Sequence, residues 1–183
     1  MNVLPISQID TRWSLFLDRD GVINRRIVDA YVRHPSEFEL LPQVKEAMRL
    51  LRQTFGFIFL VTNQQGIGKG LMSTADLEEV HAYMETELDF PFDRIYFCPD
   101  LASSGSRFRK PETGMAEQAR KDFPAVDFSK SVMVGDARSD MLFGEKAGMY
   151  TVFLPGTDAS YPQASLQCAS LYDFAQQIEK RTL

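Results

Sequence analysis

Short apolar runs alternate along the chain with segments in which apolar residues recur at helical spacing. The runs that we predict to be strands are 13–17, 57–61, 94–97, 131–134 and 150–154. The second run lacks polar alternation, as expected for a parallel strand that is buried on both faces. Strands that alternate with helices predict an α/β fold, in which a parallel sheet lies between layers of helices.

A segment predicted to be helical follows each of these strands. The helical segments are 42–54, 73–88, 112–122, 139–147 and 171–180. Ser73 is a suitable N-cap for the second helix, and Gly148 is a suitable stop for the fourth. Because no internal repeat or linker interrupts this order, we expect a single α/β domain over residues 1–183.

The composition is that of an ordinary globular protein, with 44% hydrophobic and 25% charged residues in a chain of 183. No apolar run approaches the roughly 20 residues that span a bilayer, and residues 1–11 lack the features of a secretion signal. Cys98 and Cys168 form no disulfide framework, and the net charge of −5 disfavours nucleic acid as a partner. We therefore expect a cytoplasmic monomer or small homo-oligomer that binds neither membrane nor nucleic acid.

Four polar clusters lie near the predicted strand ends and helix starts. They are 18–24, 62–66, 109–111 and 135–140. Taken singly, each has a simpler explanation, because Asp-x-Asp and Thr-Asn are common in turns and Gly-Asp often precedes a helix cap. Ligands of open α/β sheets bind at the carboxyl ends of the strands, where these clusters would meet. Together the clusters supply the groups that phosphoryl transfer needs.

The residue types fit a covalent mechanism. Carboxylates are known nucleophiles for phosphoryl groups, and Asp18 directly follows the first strand. Asp20 is near enough to protonate the leaving oxygen and later to deprotonate water. Asp136 adds a third oxygen donor, and an all-oxygen set from Asp18, Asp20 and Asp136 favours Mg²⁺. Thr62 and Lys110 are predicted to stabilise charge on the phosphoryl oxygens.

The order of these residues resembles the four motifs of haloacid-dehalogenase (HAD) hydrolases. The matching residues are Asp18-x-Asp20-Gly21-x-x-Asn24, Thr62-Asn63, Lys110-Pro111 and Gly135-Asp136-x-x-x-Asp140. The resemblance implies a HAD-like Rossmannoid three-layer sandwich with a central parallel sheet, and an aspartyl-phosphate intermediate on Asp18. It also implies that Asp18, the backbone carbonyl of Asp20 and Asp136 hold Mg²⁺, with Asp140 supporting the metal site.

Three longer stretches, 17–24, 61–70 and 109–115, resemble the capless branch of that family. The substrates of this branch include heptose bisphosphates and histidinol phosphate. The resemblance implies that the chain has no cap domain and acts on a small phosphorylated metabolite. The residues assigned on this basis to substrate binding are Asn24, Asn63, Lys69 and Arg109.

The loop over residues 98–109 departs from that branch. Relatives usually carry a zinc loop here, with a Cys-x-His near its start and a Cys-x-Cys at its end. Only Cys98 remains in this chain, and one thiolate cannot fill a tetrahedral zinc site. We therefore expect Mg²⁺ and no zinc, with Cys98 as a structural residue.

The loops that would close a capless site are rich in basic residues. These residues are Arg25, Arg26, Lys69, Arg107 and Arg109. One phosphate needs fewer positive charges, so we predict a sugar bisphosphate as the substrate. Histidinol phosphate or another small phosphate ester is the alternative, and a phosphate-binding or signalling module on this fold is the non-enzyme alternative. The presence of both Asp18 and Asp20 favours the enzyme.

Overall fold

A parallel sheet forms the centre of the computed structural model, which describes residues 3–156 and 158–180. Within these residues its six strands are β1 (Ser14–Leu17), β2 (Phe57–Asn63), β3 (Arg94–Cys98), β4 (Ser131–Gly135), β5 (Tyr150–Phe153) and β6 (Leu166–Gln167). Their order across the sheet is β3-β2-β1-β4-β5-β6. The predicted α/β class is therefore confirmed, while the predicted domain ends at residues 1 and 183 lie outside the described residues.

Helices cover both faces of this sheet. In the described part of the chain they are α1 (Val44–Arg52), α2 (Gln65–Gly68), α3 (Thr74–Leu88), α4 (Gly114–Asp122), α5 (Arg138–Ala147) and α6 (Leu171–Glu179). Buried side chains of α1, α3 and α6 belong to one core cluster, and those of α4 and α5 contribute to the cluster on the opposite face. The three-layer sandwich is confirmed.

The central strand β1 is buried on both faces, which explains its continuous apolar sequence. Successive side chains of a strand point to opposite faces, so Leu15 and Leu17 join one core cluster while Phe16 joins the other. Phe16 pairs in register with Phe59 of β2 and Met133 of β4. Because strands flank β1 on both sides, the residue that follows it starts from a rigid position.

Several helix ends follow from local capping chemistry. The Ser73 hydroxyl accepts a hydrogen bond from the Asp76 N–H, and the Asp76 carboxylate accepts one from the Ser73 N–H, so α3 begins with a capping box. Helix α5 ends at Ala147 and is followed by its C-cap Gly148, which has a left-handed φ of 84°. Helix α1 begins at Val44 and not at residue 42, because Gln43 has a left-handed φ of 61°.

The sequence pattern missed the shortest α-helix, α2, and the shortest strand, β6. Four residues are too few to show a helical period, and two are too few to show a strand pattern. Helix α4 begins two residues later than predicted, at Gly114, whose Cα approaches the Arg107 carbonyl too closely to leave room for a Cβ.

The connections that leave the carboxyl ends of β1 and β2 carry no further domain in the described residues. Residues 18–56 contain α1 and a 3-10 turn at Pro35–Glu37, and residues 64–93 contain α2 and α3. Across the described residues, helices are too short or too polar to cross a membrane. The carboxyl ends of the central strands therefore open onto a cleft bordered by the loops that follow the strands and by the first residues of nearby helices.

Candidate active site

Lys110 holds two aspartates together below the end of β1. Its Nζ lies 2.7 Å from Asp18 Oδ1, 2.7 Å from Asp140 Oδ1 and 2.7 Å from the carbonyl oxygen of Val61. All three charged side chains are buried, and a buried ion is tolerated only when it is paired and hydrogen-bonded. Burial alone would lower the pKa of Lys110, but Asp140 and Asp18 outweigh it and raise this pKa.

Asp18 is a buried carboxylate with a raised pKa. Burial is the main cause, the negative charges of Asp140 and Asp20 add to it, and Lys110 opposes it, so that the pKa of Asp18 rises to about 6. At neutral pH the carboxylate is still mainly ionised. The geometry therefore leaves Asp18 able to act as a nucleophile, with one oxygen fixed by Lys110.

Asp20 has the opposite electrostatic environment. Arg19 Nη2 donates to its two oxygens at 3.0 and 2.9 Å, and Asn24 Nδ2 and Gln64 Nε2 each donate at 3.0 Å. Burial alone would raise the pKa of Asp20, but the Arg19 charge and these hydrogen bonds outweigh it and lower the pKa. Gln64 Nε2 also donates to Thr62 Oγ1 at 2.9 Å, which links Asp20 to the end of β2.

Arg19 was not predicted as a site residue, and its side chain is fully buried. Its Nη1 lies 3.3 Å from Nε2 of His81 on α3. Arginine can only donate, so His81 Nε2 accepts and the imidazole is neutral. Burial and the Arg19 charge lower the pKa of His81 to about 3. His81 thus supports the arginine that holds Asp20.

Asn63 and Asn24, both predicted to bind substrate, are engaged with neighbouring protein groups. Asn63 Nδ2 donates to the Lys110 carbonyl at 3.0 Å, and its Oδ1 accepts from the Lys110 N–H at 3.0 Å. Asn24 is buried and donates to Arg25 O at 2.9 Å as well as to Asp20. The Asn63 contacts fix the backbone of Lys110, and those of Asn24 fix the turn that carries Asp20.

The oxygen atoms assigned to Mg²⁺ converge. Carboxylate oxygens of Asp18, Asp136 and Asp140 lie within 4.8 Å of one another. Gly21, with a φ of 96°, and Gly156 both approach the Asp136 carboxylate so closely that a Cβ would clash with it. The Asp20 carbonyl faces the same point, because a single nitrogen of Arg26 lies 2.7 Å from both this carbonyl and Asp136 Oδ1. An all-oxygen set of this kind fits Mg²⁺.

A cleft of about 1110 Å³ opens above these residues. Four of the five basic residues named from the sequence line it: Arg25, Arg26, Lys69 and Arg109. Arg25 pairs with Glu39 at 3.0 Å, Lys69 Nζ donates to Tyr31 Oη at 2.9 Å, and Arg109 donates to the Asp100 carbonyl at 3.2 Å. The Arg107 guanidinium instead lies over the ring of Phe108, 5.1 Å from its centroid.

Arg26 is the residue whose position the sequence did not reveal. It was expected at the mouth of the cleft, yet its guanidinium reaches the oxygens assigned to Mg²⁺ and lies 3.9 Å from Asp18 Oδ2. The one available signal was its place two residues after Asn24, beside the acidic motif.

The loop over residues 98–109 is held by hydrogen bonds. Cys98 is buried, and its Sγ lies 3.6 Å from Asp100 Oδ2 and 3.9 Å from Ser106 Oγ. Ser106 Oγ also accepts from the Phe108 N–H at 3.3 Å. Among residues 3–156 and 158–180, the acidic group around Asp136 is the one cluster of three or more metal-ligating side chains.

The fold and the aspartate–lysine site define a phosphatase of the HAD superfamily, and comparison with known proteins agrees. The family model described as "Polynucleotide kinase 3 phosphatase" matches residues 15–169, and the chain belongs to this family.

Among individual proteins, the chain is similar to phosphatases that are named for heptose bisphosphates. The chain is 36% identical over 171 residues to D-glycero-alpha-D-manno-heptose-1,7-bisphosphate 7-phosphatase of Mycobacterium bovis, covering 90% of each protein. It is 40% identical over 152 residues to the enzyme of the same name from Burkholderia mallei, covering 77% of this chain and 78% of that one. A crystal structure of D,D-heptose 1,7-bisphosphate phosphatase from B. bronchiseptica with magnesium and phosphate matches with a TM-score of 0.84 and 30% identity, covering 92% and 98%.

Proposed function

We propose that this protein is a Mg²⁺-dependent phosphatase that hydrolyses a sugar bisphosphate, with heptose 1,7-bisphosphate as the leading substrate. The observation that carries the proposal is Asp18, which is ion-paired with Lys110 at the floor of a cleft lined by basic side chains. The heptose-bisphosphate phosphatases that the chain resembles support the choice of substrate.

The reaction follows from the positions of the two aspartates. Asp18 attacks phosphorus, and the bond from phosphorus to the ester oxygen breaks. Asp20 gives a proton to the leaving oxygen, and it takes up this proton beside the negative charge of the bound phosphate, which raises a pKa that is lowered in the protein alone. Asp20 then takes a proton from water as the water attacks the aspartyl phosphate, which releases phosphate and restores both side chains. Lys110, which is ion-paired with Asp18, and Thr62, which lines the same cleft, stabilise the charge on the transferred group.

Asp18, Asp136 and the Asp20 carbonyl would hold Mg²⁺, and Asp140 would support the site through Lys110. When bound, the ion neutralises charge on the phosphoryl group and on the carboxylates that face it. A structure similar to this chain contains magnesium, which supports the same ion here. Because the loop at 98–109 brings only one thiolate to its centre, we expect no zinc. A reducing cytoplasm and a monomer or small homo-oligomer remain predictions.

A substrate panel tests this function directly. It consists of the α and β anomers of heptose 1,7-bisphosphate, histidinol phosphate, a sugar monophosphate and a 3′-phosphorylated oligonucleotide. We expect the highest kcat/KM on a heptose bisphosphate, loss of activity in EDTA and recovery with Mg²⁺ but not Zn²⁺. If histidinol phosphate is turned over best, the proposed substrate is wrong but the proposed phosphatase activity is still supported. If folded protein with Mg²⁺ turns over no ester, the proposed phosphatase activity is wrong.

Arg109 tests the basis of substrate choice. It adjoins Lys110 and lines the cleft, and its planar guanidinium suits a second anionic group. We expect Arg109→Ala to lower kcat/KM for the bisphosphate by about 10- to 100-fold, with a much smaller loss on a sugar monophosphate. Arg107→Ala is the matched control, because Arg107 lies over Phe108. Equal losses on both substrates would remove Arg109 from substrate recognition.

A further inference from the structure

Arg26 occupies the oxygens that the proposed function assigns to Mg²⁺. Its Nη2 donates to the Asp20 carbonyl at 2.7 Å and to Asp136 Oδ1 at 2.7 Å, and it lies 3.9 Å from Asp18 Oδ2. The side chain of Asp136 is 1% exposed, so its charge requires a nearby cation. The Arg26 guanidinium is that cation in this arrangement.

Arg26 and Mg²⁺ would compete for these oxygens. Mg²⁺ binds oxygen at about 2.0–2.1 Å, so an ion on Asp136 Oδ1 would lie within about 5 Å of a nitrogen bonded to the same atom. Two cations this close repel each other and compete for the same lone pairs. Arg26 can withdraw, because its side chain is 39% exposed and residues 25–27 are in neither helix nor strand.

The withdrawn guanidinium would enter the cleft that Arg26 lines. Three other basic residues around the cleft have partners away from the metal site: Glu39 for Arg25, Tyr31 for Lys69 and the Asp100 carbonyl for Arg109. Arg26 differs from them because Mg²⁺ would take the oxygens that it contacts. An anionic group of the substrate in the cleft offers it a replacement.

We propose that Arg26 exchanges between two partners: it neutralises the Asp136 site until Mg²⁺ takes those oxygens, and it then binds the second anionic group of the substrate. This inference rests on the proposed Mg²⁺ site and bisphosphate substrate. It predicts that removal of Arg26 has two opposite effects: Mg²⁺ binds more tightly, and the bisphosphate binds more weakly. If Arg26 were merely structural, its removal would weaken the binding of both.

The first experiment measures Mg²⁺ binding without turnover. Wild type, Arg26→Ala and Arg26→Gln, each freed of metal with EDTA and dialysed, are titrated with MgCl₂ by calorimetry. If Arg26 holds the oxygens about nine-tenths of the time, its removal tightens the Kd for Mg²⁺ about tenfold. Arg25→Ala is the matched control, because it removes the same charge from the neighbouring residue, which pairs with Glu39. We expect its Kd to stay within about twofold of wild type.

The second experiment measures KM at saturating Mg²⁺ for a sugar bisphosphate and the corresponding monophosphate. We expect Arg26→Ala and Arg26→Gln to raise KM for the bisphosphate about tenfold or more, with a much smaller change for the monophosphate. The proposal requires tighter Mg²⁺ binding and selectively weaker bisphosphate use in the same variant.

Unchanged or weaker Mg²⁺ binding in both Arg26 variants would overturn the exchange, as would equal changes of KM on the two substrates. Failure of the proposed function has a different signature. If wild type binds no Mg²⁺, or uses the bisphosphate no better than the monophosphate, the proposed metal or substrate is wrong and the exchange falls with it.

Discussion

Asp18 and Asp20 are two residues apart, yet the protein moves their pKa values in opposite directions. Burial dominates at Asp18 and raises its pKa to about 6, while Arg19, Asn24 and Gln64 lower the pKa of Asp20. In the protein without substrate the lowered pKa keeps Asp20 ionised, so Asp20 acts as the general acid only after it gains a proton beside the negative charge of the bound phosphate. Substitution of each aspartate by asparagine therefore tests the nucleophile and the acid–base group separately.

Asp18→Asn should abolish turnover, because the amide cannot attack phosphorus. We expect kcat to fall by at least about 10³-fold, as for other enzymes that lose their nucleophile. Circular dichroism should show a native fold, since an amide of the same shape can still contact Lys110. A folded Asp18→Asn protein with activity near wild type would contradict the covalent mechanism.

Asp20→Asn should separate the two proton transfers. A sugar phosphate needs its leaving oxygen protonated, so we expect a loss of about 10²- to 10⁴-fold. p-Nitrophenyl phosphate releases a stable anion without that help, but water activation still fails. Rapid mixing should therefore show a burst of about one nitrophenolate per chain followed by slow turnover. A variant with no burst and a uniformly slow reaction would remove Asp20 from the second step.

The buried His81 should make the fold sensitive to acid. Its pKa is about 3 in the folded protein against a reference value of 6.5, so the unfolded chain binds the additional proton below pH 6.5. Stability from neutral His81 is complete above pH 6.5 and falls as the pH drops, by about 2 kcal/mol at pH 5. Urea unfolding should show that His81→Gln, which keeps an acceptor for Arg19, loses less stability between pH 7.5 and pH 5 than wild type.

The control for this measurement is His34→Gln, because His34 is exposed at the surface. We expect it to keep the pH dependence of wild type. Identical pH dependence in all three proteins would show that His81 is not the group that senses acid.

At the scale of elements, the strands of the sheet can be predicted from the sequence more reliably than the segments that connect them. Parallel strands buried on both faces need continuous apolar runs, which is why β1 and β2 were recognisable. Helix α2 contains two glycines in four residues and has no period to detect. The acidic motifs were found because they directly follow strands, whose ends fix where they point.

Contacts between side chains that are far apart in the sequence could not be predicted from the sequence pattern. Arg19 meets His81, 62 residues away, and Arg26 meets Asp136, 110 residues away. Neither pairing has a local pattern, because each depends on how a loop packs against another element. The buried position of Arg19 also runs against the usual exposure of arginine.

The loop at 98–109 allows a prediction for a whole element. Cys98 Sγ faces Asp100 and Ser106, at positions where zinc-binding relatives usually carry ligands. Wild type washed with EDTA should contain less than about 0.1 zinc per chain by elemental analysis. One tightly held zinc per chain would show that this loop binds zinc and would contradict the prediction.

A variant that rebuilds the ligand set is the positive control. Asp100→His, Ser106→Cys and Phe108→Cys together give Cys98 three partners in the spacing of the zinc loop. We expect this protein to take up about one zinc per chain and to gain thermal stability from it, while wild type gains none.

At the scale of the whole molecule, the cleft combines charges of both signs. The net charge is −5, and the cleft brings Arg25, Arg26, Lys69 and Arg109 to one opening together with the aspartates that we assign to Mg²⁺. A small anionic ligand experiences mainly the local cluster, whereas a long polyanion also meets the negative remainder of the surface. The volume of about 1110 Å³ is near the range of small-molecule sites, about 300–1,000 Å³.

The description of the matching family names a polynucleotide, and the negative net charge disfavours such a substrate for this protein. We expect kcat/KM for a 3′-phosphorylated oligonucleotide to be at least about 100-fold below that for heptose 1,7-bisphosphate. The rate should not increase from a dinucleotide to a 12-mer, because the net charge of −5 opposes the binding of the added phosphates. Proteins that do bind nucleic acid through an extended basic surface lose affinity steeply as salt increases. A rate that increases with oligonucleotide length and falls with added salt would contradict the small-metabolite assignment and favour a nucleic-acid substrate.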